Sequence, residues 1–464
     1  MSKEKSSQAR DVTPISELIK KSIESKPHLE IIDTTKFQPL TSGKLLETLG
    51  ITIKHDTENK LATFLCMLSA YTENSQFNIS FNAPSSTGKS YIPLEISNLF
   101  PTEDLIKLSS ASPTAFFHDQ GEYDQETNTM FLDLSRKIII FLDQPNGQLL
   151  QRLRSLFSHD EKIIQAKITD KIQKGGMRTK TVIIQGFPSV VFCSAGLRID
   201  EQESTRFLLL SPEMSQEKLR EGITATILKE ADNDSFKIWL DKSSERTLLK
   251  DRIRAIKMEG ITEINIAESK QIEERFLTNN KSLKPRHQRD IKRLLGFVKT
   301  FALLNVWWRD RKGSIITANG DDISSAFELW DKISASQDLN LPPYIFNLYN
   351  EVILPAWREK NKKEEDDVFG DLNDELGLAQ KEVIEKHYAI YGRRLDITKL
   401  GREILPMLET VGLIRLEPDR NDGRRKLIYP IVPSPTSNET PINNNATDSG
   451  VNNIEAQPLL SDNH

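Results

Sequence analysis

The segment Ala83-Pro84-Ser85-Ser86-Thr87-Gly88-Lys89-Ser90 spaces a glycine, a lysine and a hydroxyl as a phosphate-cradling loop requires, with Ala83 standing where the first glycine is usual. In such a loop, successive backbone N–H groups wrap phosphate oxygens. Lys89 would reach the β and γ oxygens, Ser90 would ligate Mg²⁺, and Gly88 would let the backbone approach closely. The expected ATP-binding stretch is therefore Pro84, Ser85, Ser86, Thr87, Gly88, Lys89 and Ser90. A nucleotide hydrolase also needs a carboxylate at the end of a neighbouring strand to hold the metal, and Asp143, after Lys137 to Leu142 (KIIIFL), supplies it. Gln144 follows. An amide cannot accept a proton as a base, although it can orient a water, so Gln144 predicts slow hydrolysis or a base elsewhere, Asp143 among the choices. Ser194 ends another apolar run, where a small polar group can sense a γ-phosphate. Arg206, in ESTRF, is spaced as an arginine that neutralises transition-state charge from an adjacent subunit. The blander alternatives are a capping aspartate, a turn serine and a surface arginine.

Positioning these groups needs strands that end beside one another. Apolar, β-rich runs predict strands at Phe77 to Phe81, Leu105 to Leu108, Lys137 to Leu142 and Ser189 to Cys193. Helical spacing lies between them, as in Leu61 to Ala70 and Gly147 to Phe157. Strands alternating with helices predict an α/β parallel sheet, here over residues 58–212. Residues 1–57 read as a polar lead-in with one short helix at Ile15 to Ile23 and little core. Residues 213–359 read as a helical subdomain without strands, with Ile291, Leu294, Leu295, Val298, Phe301 and Leu304 on one helix face. Residues 360–375 form a charged linker. Residues 376–432 combine helices with two final strands, Leu413 to Leu416 and Leu427 to Tyr429, in a winged-helix pattern. Residues 433–464, rich in Asn, Ser, Thr and Pro, read as disordered.

Composition excludes more than it assigns. A chain of 464 residues with two cysteines, Cys66 and Cys193, has no disulfide framework or CxxC zinc site, which points to a reducing compartment. No apolar run approaches a bilayer span and no secretory h-region follows the N-terminus, so a cytoplasmic protein without membrane attachment is expected. A net charge of −5 offers no bulk attraction to nucleic acid, so any DNA contact must come from local basic clusters. His159, His287 and His387 form no metal-ligating pattern and are expected at the surface; Trp307-Trp308 is expected to pack internally.

The order APSSTGKS, IIIFLDQ, a hairpin over Ile163 to Ile184, SVVFCSAG and STRF resembles AAA+ ATPases of the helicase clade, closest to minichromosome-maintenance-like and phage or mobile-element replicative helicases. The likeness covers about residues 58–340 by motif order and departs at Ala83 and Gln144. It implies a P-loop AAA+ core with a helical lid, ATP and Mg²⁺ as cofactors, and a homo-oligomeric ring, a hexamer. It also implies a hairpin whose Lys174, Arg178 and Lys180 contact DNA in the ring channel, unless that turn is merely solvated. Lys284-Pro285-Arg286 opens a helix as the family's second sensor does, which makes Arg286 the matching residue and Arg289 the fallback. In the winged-helix pattern, Arg424, Arg425 and Lys426 of the wing would reach a phosphate backbone, and the helix with Lys399 and Arg402 would meet the duplex, unless the module docks protein. The function so implied is an ATP-dependent DNA helicase or translocase in replication of a mobile element or phage. The alternatives are a slow-hydrolysing, nucleotide-gated DNA switch or loader, and a signalling ATPase with a protein-docking winged helix. No primase site is evident.

Overall fold

The computed structural model describes residues 32–119, 121–125, 127–170, 178–194, 206–365, 375–420 and 422–431. Along the chain come helices α1 (Ser42–Gly50) and α2 (Thr57–Ser69), strand β1 (Ile79–Asn82), helix α3 (Tyr91–Ser97), then β2 (Leu105–Leu108), β3 (Glu122–Asp124), β4 (Thr129–Asp133) and β5 (Ile138–Phe141). Helix α4 (Gly147–Arg152) leads to β6 (Ile163–Asp170), β7 (Arg178–Gln185), β8 (Ser189–Ser194) and β9 (Leu208–Leu210). Helices α5 (Gln216–Ala231), α6 (Asn233–Asp241) and α7 (Ser244–Glu259) precede β10 (Glu263–Ile266), α8 (Ser269–Asn279) and α9 (His287–Leu304). Strands β11 (Asp310–Lys312) and β12 (Ile315–Ala318), helices α10 (Gly320–Asp338), α11 (Leu354–Glu365) and α12 (Gln380–Tyr391), and strands β13 (Ile414–Pro418) and β14 (Lys426–Pro430) complete the labelled elements.

The protein is α/β, built on a five-stranded sheet in the order β2-β5-β8-β1-β9 whose pairings are all parallel. Strands β1, β5, β8 and β9 are buried along their whole length, the pattern of a sheet covered on both faces. Alternation sorts their side chains. Ile138, Ile140, Val191 and Cys193 enter one apolar cluster, while Ile139, Phe141, Val190 and Phe192 enter another. The first cluster runs without a break from Leu45 and Leu49 of α1 through the sheet to Phe297 of α9 and Trp330 of α10.

Several expectations meet a different outcome. The helix at Ile15 to Ile23 and the tail from residue 433 lie outside the described residues. The rest of the lead-in contributes more core than its polarity suggested: Leu45, Leu49 and Ile53 are buried. Strands do not stop after β9, because β10, β12 and β11 form a three-stranded sheet. Each is only three or four residues long, too short for periodicity to stand out among helices. The same brevity hid β3 and β4, which join the hairpin β6–β7 in a four-stranded sheet, order β3-β4-β7-β6. The charged stretch expected to begin at residue 360 is helical as far as Glu365. Residues 378–431 hold α12, a helical stretch from Ile397 to Thr410 and the antiparallel pair β13–β14 around a separate apolar cluster.

Histidines also differ from expectation. His287 and His387 are buried, and the His159 ring packs edge-on to Phe187. Imidazole is small and mostly apolar, so one hydrogen bond permits burial; His387 shares one of 2.8 Å with the Arg393 carbonyl. Trp307 packs internally as expected, 4.8 Å from Phe37, and its Nε1–H donates to Glu259 at 2.8 Å, whereas Trp308, expected inside as well, is exposed. Cys66 and Cys193 are free and buried. Among the described residues no His, Cys, Asp and Glu gather into a metal cluster, and no helix is long and apolar enough to cross a membrane.

Candidate functional site

The loop after β1 leaves the sheet at the carboxyl ends of parallel strands, where open α/β sheets place ligands. Ala83 is buried, and its N–H faces the Ser194 carbonyl at 3.5 Å. Ala83 is not among the residues with positive φ, so the first position of the loop tolerates a Cβ. Gly88 does have a requirement: its φ is 89°, while an added Cβ would meet nothing within 4 Å. Glycine is needed there for conformation and not for space. Ser86 also takes a left-handed φ, 64°. Helix α3 starts from this loop, with backbone bonds from Tyr91 and Ile92 to the Gly88 carbonyl.

Lys89 is half-buried and its Nζ donates to the Pro84 carbonyl at 2.8 Å, as does the Thr87 hydroxyl at 2.9 Å. Burial holds the Lys89 pKa below the usual lysine range; the Arg393 and Lys399 charges add to this, against Cys193 and Asp143. Ser90 stands at the cap of α3 but makes no side-chain capping bond, so its hydroxyl suits a metal ligand. With the exposed carboxylate of Asp143, the donor set is all oxygen, which fits Mg²⁺.

Strand order explains how these groups meet. Strand β8 lies between β1 and β5, so Ser194, at the end of β8, sits between the phosphate loop and the Asp143-Gln144 turn. The Ser194 hydroxyl donates to Gln144 Oε1 at 2.8 Å. The Gln144 backbone N–H donates to Asp143 Oδ1, also at 2.8 Å. Lys89, Asp143, Gln144 and Ser194 are thus brought to one end of the sheet.

Arg206 is elsewhere. Leu208 pairs with Ile79 in a parallel register, which sets Arg206 level with Phe77 at the opposite end of the strands from the loop. At ~3.3 Å per residue, that is roughly 20 Å from Ala83. It cannot serve its own chain's phosphate loop. Arg286 is also engaged: Asp290 accepts from its Nε at 2.7 Å and its Nη2 at 3.2 Å, and Arg293 donates to the same buried carboxylate at 2.6 Å. Arg289 is exposed.

Of the expected DNA-contacting residues, Lys174 lies outside the described residues, and so does the Arg178 side chain, although Arg178 begins β7. Lys180 is not at the hairpin tip. It pairs with Ile168 inside the ladder, and its Nζ lies 3.9 Å from Met130 Sδ. Arg424 and Arg425 are exposed in the β13–β14 connection, where Arg425 pairs with Asp422 at 3.2 Å, and Lys426, also exposed, begins β14.

Two features beside the loop escaped sequence reading. A cleft of about 960 Å³ opens between the loop, the segment after α1 and helices α5 and α6, with Ile53, Tyr91, Ile92, Leu219, Ile223 and Trp239 in its wall. The exposed apolar spacing of Leu219, Ile223 and Ile227 was its available signal. The second feature is Arg393, whose Nη1 donates to the Ser85 carbonyl at 3.0 Å across 308 residues of chain. Only the dipeptide Arg393-Arg394 after a helix-ending glycine hinted at it.

No protein-family model and no curated protein matches the sequence. Among solved structures, one similar chain is a full-length MCM homologue from Methanopyrus kandleri, 12% identical with a TM-score of 0.37, over 65% of this chain. The matched part spans 63% of that chain's length.

Proposed function

We propose that the protein is a nucleoside-triphosphate hydrolase of the AAA+ helicase type that acts on DNA as a ring-forming translocase in replication. One observation supports this most: the sheet order gathers Lys89, Ser90, Asp143, Gln144 and Ser194 at the carboxyl ends of three adjacent strands. In this reading the loop N–H groups and Lys89 hold the phosphates, Ser90 and Asp143 hold Mg²⁺, and the apolar cleft takes the base. Held there, Mg²⁺ would supply neutralisation of phosphate charge. Arg206 acts on the neighbouring subunit's nucleotide, because it stands at the wrong end of its own sheet. The hairpin β6–β7 and the basic β13–β14 connection supply DNA contacts. The test is ATP hydrolysis by the purified chain with and without single-stranded and duplex DNA. DNA-stimulated turnover that Lys89→Ala abolishes is the expected result; absence of ATP binding would overturn the reading.

A second reading rests on Gln144, whose amide oxygen already accepts from Ser194. A side chain held in this way orients a water and removes no proton, so the protein acts as a nucleotide-gated switch with slow turnover. Gln144→Glu then raises single-turnover hydrolysis by about 10²-fold or more, the scale of general-base catalysis. An unchanged rate argues against the switch.

A further inference from the structure

The segment after α12 is a built support for one cation. Gly392 takes a left-handed φ of 66°, and its N–H closes the helix on the Tyr388 carbonyl at 2.8 Å. On one side, Gln216 at the start of α5 donates to the Tyr391 carbonyl at 2.8 Å. On the other, the buried His387 ring holds the Arg393 carbonyl, and Leu395 inserts into the C-terminal apolar cluster. The backbone around Arg393 is therefore pinned from three directions. Its guanidinium is exposed and directed onto the phosphate loop, where it reaches the Ser85 carbonyl.

A guanidinium so placed can reach an anion held by the same loop. Lys89 Nζ bonds the Pro84 carbonyl, the immediate neighbour of the carbonyl that Arg393 bonds. Among the described residues no carboxylate pairs with Arg393, and its hydrogen bond goes to a neutral acceptor. Two cations from two separately cored parts of the chain, Lys89 and Arg393, thus bond adjacent carbonyls of one loop.

We propose that Arg393 contacts the β- and γ-phosphate end of a nucleoside triphosphate bound in its own chain's phosphate loop, so that nucleotide occupancy and docking of the C-terminal module are coupled. The proposal rests on the nucleotide-binding reading above. Adjacent carbonyls hold Lys89 and Arg393, so the anion that Lys89 grips is within the sweep of the guanidinium. A planar fork can then take two phosphate oxygens in a fixed bidentate geometry, which the point-like ammonium of a lysine does not impose. Coupling follows by linkage: if docking completes the phosphate site, triphosphate binding favours the docked module to the same degree.

The experiment compares ATP and ADP affinities of the full-length wild type, Arg393→Ala, Arg393→Lys and Lys89→Ala by calorimetry. Amide exchange of residues 391–395 is followed in parallel. Arg393→Ala should weaken ATP about tenfold, the scale of one charge-assisted hydrogen bond, and ADP by much less. Arg393→Lys should recover part of the ATP loss. ATP should slow exchange of the segment in wild type and not in Arg393→Ala. Equal losses for ATP and ADP, or none, would reduce Arg393 to a structural tether and overturn the proposal while leaving nucleotide binding intact. Wild type that binds neither nucleotide would overturn the functional reading and this proposal together.

Discussion

Helices α9 and α5 are of similar length, 18 and 16 residues, and both carry apolar side chains at helical spacing. In α9, Leu294, Phe297, Val298 and Phe301 are buried against α2, α10 and the sheet cluster. In α5 no residue is buried, and Leu219, Ile223, Ile227 and Leu228 remain exposed along the cleft. Apolar side chains at helical spacing therefore have two fates. One stripe is core, fixed by what it packs on; the other lines an open cleft and packs on nothing. Amphipathicity names a face, and only the surroundings say whether that face serves stability or recognition.

The strongest way to break this contrast is to truncate the core stripe. Phe297 is fully buried, 4.9 Å from Phe77 in an edge-on contact and 6.4 Å from Trp330. Phe297→Ala should cost about 3–5 kcal/mol, as cavity-forming aromatic deletions do, in urea denaturation followed by tryptophan fluorescence. A loss under ~1 kcal/mol would mean that α9 is no better anchored than α5.

A smaller effect should appear with pH, and it separates the sheet region from the cleft again. Burial, with Lys292 nearby, pushes the His159 imidazole down to about 4. The unfolded chain, with a value near ~6.5, takes up the proton first. Stability is therefore complete above about pH 6.5 and declines as pH falls through the window toward 4. Fully developed, the loss is on the order of 3 kcal/mol. Burial lowers His387 in the same direction. His159→Asn keeps a residue suited to the left-handed φ of 57° but does not titrate there. The melting temperature of this variant should fall with acid by less than half the wild-type amount; an identical profile would remove His159 from the account.

How much of this was readable from the residues follows the range of the forces involved. Four of the five parallel strands were legible, those covered on both faces because they are apolar throughout, as Ile138 to Phe141 is; β9, only three residues long, was not. The strand–loop–helix around Gly88 and Lys89 was legible because the backbone demand at Gly88 is local. Helix α9 was legible from its period. The strands β3, β4 and β10 to β12 were not, since three to five residues give too few periods. Beyond the Arg393-Arg394 dipeptide nothing local marks Arg393, which reaches Ser85 with its backbone held by Gln216 and His387. The opposite placements of Lys89 and Arg206 depended on strand register, which is a property of pairing and not of either segment alone.

The finest test of the contrast is on α5 itself. Its capping is sound: Ser215 accepts from the Lys218 N–H at 3.3 Å, and Lys218 pairs with the buried Asp56. Its apolar stripe adds no burial, so helix formation there depends on local propensity and caps, with little tertiary contribution. Replacing Ile223 with Ser should change global stability by no more than about 0.5 kcal/mol, the range for exposed positions. Amide exchange in α5 should already be far faster than in α9 before any substitution. If the cleft takes the base of a nucleotide, Ile223→Ser should still weaken ATP and ADP alike, since both share the base. This signature differs from that of Arg393→Ala, which spares ADP. A substitution that leaves folding untouched yet lowers affinity for both nucleotides would establish that the exposed stripe is kept apolar for the ligand; no effect on either would return it to an ordinary exposed face.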